Sequence, residues 1–246
     1  MFISETYRTR IREALRLALP IIAGQLGQVL MGFFDSVQVG GLGSIYIAAS
    51  GFANTVYWTL NLLGLGILFA VSPLVSEAFG EKKNWKAIGI FRSGLKVSLI
   101  VSVVFTVLVF VLINYLHLFK ESETVNALAA KYLRVLNYST VFMLLFTVGK
   151  QFFDGMGRTT VGMVLTFIGL VLNIFLNWVL IYGHLGMKPM GIEGAALATC
   201  TARMVMAGGI LVFLPGWDDI SKLYEKYFNL PSLIFPSSYD FIFLYE

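Results

Sequence analysis

A single carboxylate lies deep inside an apolar segment of this sequence. The chain has 14 acidic residues, and among them only Asp35 sits well inside an apolar run. A charged side chain at that depth costs about 2.5 to 3.5 kcal/mol on membrane-insertion scales. Gln25, Gln28, Gly32 and Asp35 are spaced three and four residues apart, so they form one polar stripe on a helix. A protonated Asp35 that serves only packing would also fit, but intramembrane carboxylates typically mark ion or proton sites.

Two later apolar runs add polar groups of the kind that bind small cations. Asn173 and Asn177 lie one helical turn apart in one run, and Thr199 lies in the next. Amides in membrane helices often serve only to hold helices together, and that reading stays open for the two asparagines alone. Together with Asp35 they make one carboxylate, two amide oxygens and one hydroxyl. We predict that this hard-oxygen set binds a small monovalent cation, or that the carboxyl alone holds a proton.

A second group of polar and aromatic residues follows helical spacing in the run after Asp35. Aromatic rings with polar tips can hold organic cations through their ring faces, although membrane-interface belts use the same residues. We therefore treat this group, together with the glutamines of the first stripe, as candidates for lining a substrate cavity. The candidates are Gln25, Gln28, Asn54, Tyr57, Trp58 and Asn61.

Signatures of soluble enzymes are missing from the sequence. It contains neither a phosphate-binding glycine loop followed by lysine nor a cluster of metal ligands, and both histidines, His117 and His184, fall in connections between apolar runs. An intramembrane serine protease would need a Gly-x-Ser-Gly turn and a histidine within a span. Ser50 lies instead in Ala48-Ala49-Ser50-Gly51. We expect no enzyme, no organic cofactor and no metal other than a small cation at the site around Asp35.

The composition indicates how these residues are positioned. Of 246 residues, 57% are hydrophobic and 13% are charged, which is typical of a chain that crosses a membrane several times. Each crossing needs about 20 apolar residues. The sequence therefore predicts an all-α membrane protein whose six spans form one lobe over residues 1–214. The predicted spans are residues 14–39, 53–76, 97–115, 135–153, 160–182 and 190–214.

The remaining segment and the basic residues indicate the topology. Residues 215–246 read as a cytoplasmic amphipathic segment followed by the start of an incomplete seventh helix. In the six-span arrangement, 13 of the 18 lysines and arginines, Lys150 among them, fall on one side of the membrane and four on the other. The positive-inside rule makes the first side cytoplasmic, so both termini are expected there. We expect an inner-membrane protein in contact with lipid, and no nucleic-acid partner.

Six motifs lie in order between about Ala14 and Leu214. They are Leu19-Pro20-Ile21, Phe34-Asp35-Ser36-Val37-Gln38-Val39-Gly40, Val75-Ser76-Glu77-Ala78-Phe79-Gly80, Asp154-Gly155-Met156-Gly157-Arg158-Thr159, Leu172-Asn173-Ile174-Phe175-Leu176-Asn177 and Gly191-Ile192-Glu193-Gly194-Ala195-Ala196-Leu197-Ala198-Thr199. Together they resemble the N-terminal half of the multidrug and toxic compound extrusion (MATE) family, in its bacterial NorM-type branch.

This resemblance implies a fold and an activity. Members of the family are antiporters with twelve helices in two six-helix lobes, and they expel organic cations and drugs in exchange for sodium ions or protons. By resemblance, Asp35 matches the carboxylate of the first span, Asn173 and Asn177 the polar pair of the fifth, and Thr199 the hydroxyl of the sixth. Pro20 matches the proline at which the first helix bends. Some members have aspartate where this chain has Asn177, so Asp35 is the only carboxylate expected in this site.

The length of the chain departs from the family pattern. The sequence stops at Glu246, where a seventh helix would begin, and alternating access requires two lobes around a cavity. We expect either a truncated frame or a second lobe supplied by another copy or a partner. One alternative function is a flippase for lipid-linked sugars. Several arginines in the cavity, which could bind a pyrophosphate, would favour that function, but only Arg203 lies within a span. Another alternative is a membrane subunit or fragment that does not transport.

Overall fold

The computed structural model describes residues 5–119 and 121–212, and within these ranges every regular element is helical. A short 3-10 helix, Leu116–Phe119, follows the fourth α-helix. The α-helices are α1 (Glu5–Gly40), α2 (Ser44–Phe69), α3 (Val71–Gly80), α4 (Asn84–Ile113), α5 (Glu123–Asn137), α6 (Ser139–Gly155), α7 (Thr159–Tyr182) and α8 (Ile192–Val212). The predicted segment 215–246 lies outside the described residues.

Five stretches of the described chain are long and apolar enough to cross a membrane. They lie in α1, in α2 continued by α3, and in α4, α7 and α8. Helices α5 and α6 pass the same criterion together but meet at a bend of 47°. If this bent pair is one span, the total is six. The prediction of an all-α membrane chain is confirmed.

Two of the predicted spans contain breaks. The segment predicted at 53–76 is interrupted at Ala70, between α2 and α3. Pro73 follows three residues later, and because it has no N–H it cannot bond to the carbonyl of Phe69. The segment predicted at 135–153 crosses the break at Tyr138, between α5 and α6.

Two helices also begin earlier than the apolar runs on which the spans were based. Helix α4 starts at Asn84 and carries Arg92 and Lys96 before its apolar part begins. Helix α5 starts at Glu123, where the hydroxyl of Ser122 accepts a hydrogen bond from the Val125 amide at 3.3 Å. Hydropathy detects the apolar part of a helix, whereas a cap can begin a helix within polar sequence.

Helix α7 packs against both α1 and α8. These three helices carry the residues of the predicted ion site, and α7 lies between the other two. Its contact with α8 is close at Gly194, where a Cβ atom would come within 2.7 Å of the Leu180 carbonyl oxygen. At the far end of α1, Gln38 donates to the Ile174 carbonyl at 3.1 Å, and the hydroxyl of Tyr182 donates to the Gln38 carbonyl at 2.6 Å. These contacts fix α1 and α8 against α7 beside the predicted ion site.

Candidate functional site

The four residues of the predicted ion site lie together at the junction of α1, α7 and α8. Asn177 Nδ2 donates to Asp35 Oδ1 at 2.5 Å, and Thr199 Oγ1 donates to Asp35 Oδ2 at 3.1 Å. Asn173 Nδ2 donates to Thr199 Oγ1 at 3.3 Å. All four are buried, and Asp35, the most accessible of them, is 8% exposed. Each oxygen of the carboxylate therefore accepts a hydrogen bond from a neutral group.

The amide oxygens of the same site have no hydrogen-bond partner among the described residues. Both asparagines use their nitrogen as a donor, which leaves Asn173 Oδ1 and Asn177 Oδ1 buried and unpaired. A buried acceptor without a partner costs about 1 to 3 kcal/mol, so such groups in a folded protein call for an explanation. A bound cation would give both oxygens a partner. The carboxylate, the hydroxyl and the two amide oxygens suit a hard cation such as sodium.

A cavity of about 320 Å³ adjoins this site. Asp35 and Thr199 form part of its wall, so the polar cluster is open to the cavity on one side. Four of the six predicted cavity residues also line it, namely Gln25, Gln28, Asn54 and Trp58. The volume lies at the low end of the range found for small-molecule sites, which is roughly 300 to 1,000 Å³.

Tyr57 and Asn61, the other two candidates, do not line this cavity. Both are fully buried, and Asn61 donates to the backbone carbonyl of Tyr57 at 2.8 Å. The four candidates of α2 form two pairs spaced by four residues, Asn54 with Trp58 and Tyr57 with Asn61. These pairs lie on adjacent faces of the helix, and only the first pair faces the cavity. Spacing alone did not distinguish the two faces.

Pro20 lies within α1, which the structure describes as a helix on both sides of this residue. Because proline has no N–H, the carbonyl of Arg16 has no partner four residues later. The helix is therefore missing one internal hydrogen bond at this position. A change of α1 at Pro20 stays a prediction.

Sequence reasoning missed a buried ion pair in α6. Lys150 Nζ lies 2.8 Å from Asp154 Oδ2, and each side chain is only 5% exposed. Lys150 also lines the cavity, although we expected it among the cytoplasmic charges. The signal that could have revealed this pair is the spacing of two opposite charges by four residues at the end of an apolar run.

Arg203 was assigned to a span without a partner, and the structure supplies its contacts. Its Nη1 donates to the Tyr57 hydroxyl at 2.8 Å and to Ser139 Oγ at 2.6 Å. The guanidinium carbon lies 5.3 Å from the centre of the Tyr57 ring and 5.9 Å from that of Trp58. Arg203 lines the same cavity as Asp35. Tyr57 therefore acts behind the cavity wall, as a support for the arginine.

Comparisons with known proteins found a matching family and similar chains. The MatE family model matches residues 20–179. The multidrug resistance protein NorM of Photobacterium profundum is 33% identical over 214 residues, which cover 85% of this chain and 46% of that protein. The multidrug resistance protein MdtK of Klebsiella pneumoniae is 33% identical over 211 residues, which cover 84% of this chain and 46% of that protein. The chain thus spans about half the length of these relatives.

Solved structures of MATE proteins have a similar helical arrangement. A crystal structure described as MATE in the bent conformation matches with a TM-score of 0.77 and 27% identity, over 84% of this chain and 46% of that one. A structure described as MATE in the straight conformation matches with a TM-score of 0.75 and 29% identity, over 84% of this chain and 45% of that one. The described residues therefore correspond to about half of these proteins.

Proposed function

The chain belongs to the MATE family, as its motifs predicted, and we propose on that premise that it forms the N-terminal lobe of a multidrug efflux transporter. The transporter would expel organic cations and other drugs in exchange for sodium ions or protons. Asp35 would bind the coupling ion, with Asn173, Asn177 and Thr199 around it. The cavity beside this site would hold the drug.

One observation carries this proposal: two of the four residues of the ion site also form part of the cavity wall. Asp35 and Thr199 line the cavity together with Gln25, Gln28 and Trp58. An ion on Asp35 and an organic cation in the cavity would therefore lie close together and repel each other. Antiport needs such a negative coupling between the binding of its two substrates, and the coupling is reciprocal.

Two coupling ions fit the residues. A sodium ion would use the unpaired oxygens of Asn173 and Asn177 in addition to the Asp35 carboxylate. A proton would need only Asp35, and the two amides would then serve to position the carboxyl group. Both versions place the charge change on the same side chain, so they are separated by measuring which ion displaces the drug.

We propose that Pro20 lets α1 change shape when the ion binds. The proline removes one internal hydrogen bond from α1, which also carries Asp35, fifteen residues further along the chain. Bends in helices commonly occur at proline for this reason. One solved MATE structure is described as being in the bent conformation and another as being in the straight conformation. That MATE proteins adopt two such conformations supports the proposed change of shape.

The proposal includes a second lobe and a membrane orientation. Because the chain spans about half the length of its relatives, a further six helices would come from the rest of a longer protein, from a partner or from a second copy. The exposed Lys82, Lys83 and Arg158 lie in connections on the side proposed to be cytoplasmic. We place the transporter in the inner membrane, with both termini in the cytoplasm.

A binding experiment tests the ion site directly. The full chain, reconstituted in lipid nanodiscs, would be titrated with radiolabelled tetraphenylphosphonium, an organic cation without titratable groups. The titration would be repeated over a series of NaCl concentrations balanced with choline chloride, and over pH 5.5 to 8. We expect sodium, protons or both to weaken binding of the organic cation to the wild-type chain.

Two variants give this experiment its specificity. In the Asp35→Asn variant, binding of tetraphenylphosphonium should no longer depend on the concentration of sodium or protons. This holds whatever affinity the variant has for tetraphenylphosphonium. Glu121→Gln removes a carboxylate from an exposed connection and should leave the dependence unchanged. The role proposed for Asp35 is refuted if Asp35→Asn retains the ion dependence of the wild type. A response to sodium alone or to pH alone identifies the coupling ion.

A further inference from the structure

The guanidinium of Arg203 is held firmly but is not paired with an acid. Its two hydrogen bonds go to the neutral hydroxyls of Tyr57 and Ser139, both from Nη1. Among the residues that the structure describes, no carboxylate lies within ion-pair distance of it. A charge inside a membrane protein is costly, and such residues usually pair with an opposite charge or face a water-filled cavity. Arg203 has no such partner in the described ranges and lines the cavity.

The contacts of Arg203 leave part of its binding capacity free. A guanidinium has five N–H donors in a planar fork, and Nη1 supplies only two of them. The groups on Nε and Nη2 have no hydrogen-bond partner in the described part of the chain. The Tyr57 and Trp58 rings lie 5.3 and 5.9 Å from the guanidinium carbon and restrict its orientation. The arginine thus presents unused donors from a fixed position.

The remaining charges of the cavity make its polarity clear. Lys150 is already paired with Asp154, so that pair adds no net charge. Asp35 and Arg203 are left as two charged side chains of opposite sign, each hydrogen-bonded only to neutral groups. Thr199, which contacts Asp35, precedes Arg203 by four residues on α8, which is roughly 6 Å along the helix axis. The cavity wall therefore has a negative end and a positive end.

We infer that Arg203 determines substrate specificity by binding a carboxylate of an amphoteric aromatic substrate whose cationic part faces Asp35. This inference rests on the proposed function and deepens it: among the organic cations that the cavity would hold, those that also carry a carboxylate would bind more tightly. The fork of an arginine matches a carboxylate with two parallel hydrogen bonds, which a neutral ester cannot reproduce. A simple cation would still be attracted by Asp35 but would gain no hydrogen bond from Arg203.

A matched pair of dyes tests this directly. Rhodamine 110 has a delocalised cationic ring system and a free carboxylate, and rhodamine 123 is its methyl ester, so the two differ by one negative charge and one methyl group. Binding to the full chain in nanodiscs would be measured by fluorescence polarisation, with empty nanodiscs as the background. We expect rhodamine 110 to bind about tenfold to a hundredfold more tightly than rhodamine 123, from the usual strength of hydrogen bonds to charged groups.

The variants assign the preference to one side chain. Arg203→Gln should bring the affinity ratio of the two dyes close to one, mainly by weakening the binding of rhodamine 110. Arg203→Lys keeps the charge without the fork and should retain part of the preference, which also guards against a glutamine variant that fails to fold. Arg134→Gln makes the same chemical change at an exposed position on α5 and should leave the ratio unchanged.

Each outcome has a definite meaning. If the wild type binds both dyes equally, or if Arg203→Gln keeps the wild-type ratio, the inference is overturned while the proposed ion site at Asp35 is untouched. If the affinity ratio of the two dyes depends on Arg203, but tetraphenylphosphonium binding to Asp35→Asn still responds to sodium or pH as in the wild type, the inference stands and the antiport proposal fails. Binding of neither dye would overturn the proposed cavity and the inference with it.

Discussion

Replacing Lys150 by methionine is expected to destabilise the helical lobe by about 3 to 5 kcal/mol, because Asp154 would remain buried without its partner. The two side chains are 2.8 Å apart and 5% exposed. Methionine retains most of the aliphatic stem that packs over Gly162, so the change removes the charge rather than the volume. For a chain of this size, such a loss corresponds to a decrease in Tm of roughly 6 to 20 °C. Fluorescence-detected size exclusion after heating in detergent would measure it.

The double variant Lys150→Met/Asp154→Leu separates a partner effect from a simple loss of packing. Replacing both charges by apolar groups removes the uncompensated carboxylate, so most of the stability should return. Lys83→Met is the matched control, because Lys83 and Glu81 are 3.2 Å apart but 53% and 40% exposed. An exposed pair contributes about 0 to 1 kcal/mol, so its loss should barely change the Tm. If the double variant loses as much stability as both single variants together, the reasoning is refuted.

Three further predictions concern packing, capping and surface charge. Gly194→Val should lower the Tm by several degrees and weaken the ion dependence of drug binding, because the new side chain would collide with the Leu180 carbonyl and shift α8, which carries Thr199. Ser122→Ala should cost about 1 kcal/mol and speed hydrogen exchange at the Val125 amide, which would lose its capping oxygen. Lys83→Met should raise the pKa of the exposed Glu81 carboxyl in a ¹³C NMR titration, because a hydrogen bond and the charge from Lys83 hold that pKa below its ordinary value.

The face that each helix turns inward was largely readable from the sequence. Asp35 is separated from Asn177 by 142 residues, yet each belongs to a polar stripe within an apolar run, and the stripes meet in the folded chain. An isolated polar group is costly in lipid, so an inward orientation follows from composition and spacing. That these particular stripes meet was implied by the resemblance to a family and not by the spacing.

The sequence could not predict how far each helix is turned about its own axis relative to its neighbours. Tyr57 and Trp58 are adjacent in the chain, but the first is fully buried and the second is 43% exposed. The break at Tyr138 was missed for a similar reason, since no proline or glycine marks it. Both features depend on how side chains of separate helices fit together, which periodicity within one helix does not encode.

The placement of Asp35 and Arg203 on one cavity wall has a consequence for coupling. A substrate charge roughly 6 to 8 Å from the Asp35 carboxylate would interact with it by about 2 to 3 kcal/mol at an effective dielectric constant near 20. Neutralising Asp35 with a sodium ion or a proton would therefore change the affinity of a charged substrate by roughly 30-fold to 150-fold without any movement of a helix. In the proposed transporter, a movement of α1 at Pro20 would then be needed only to change access to the cavity, whereas the exchange of ion for drug could follow from charge alone. Asp35 lies on α1, and Thr199 and Arg203 lie on α8, so these two helices would carry the charges through which ion and drug compete.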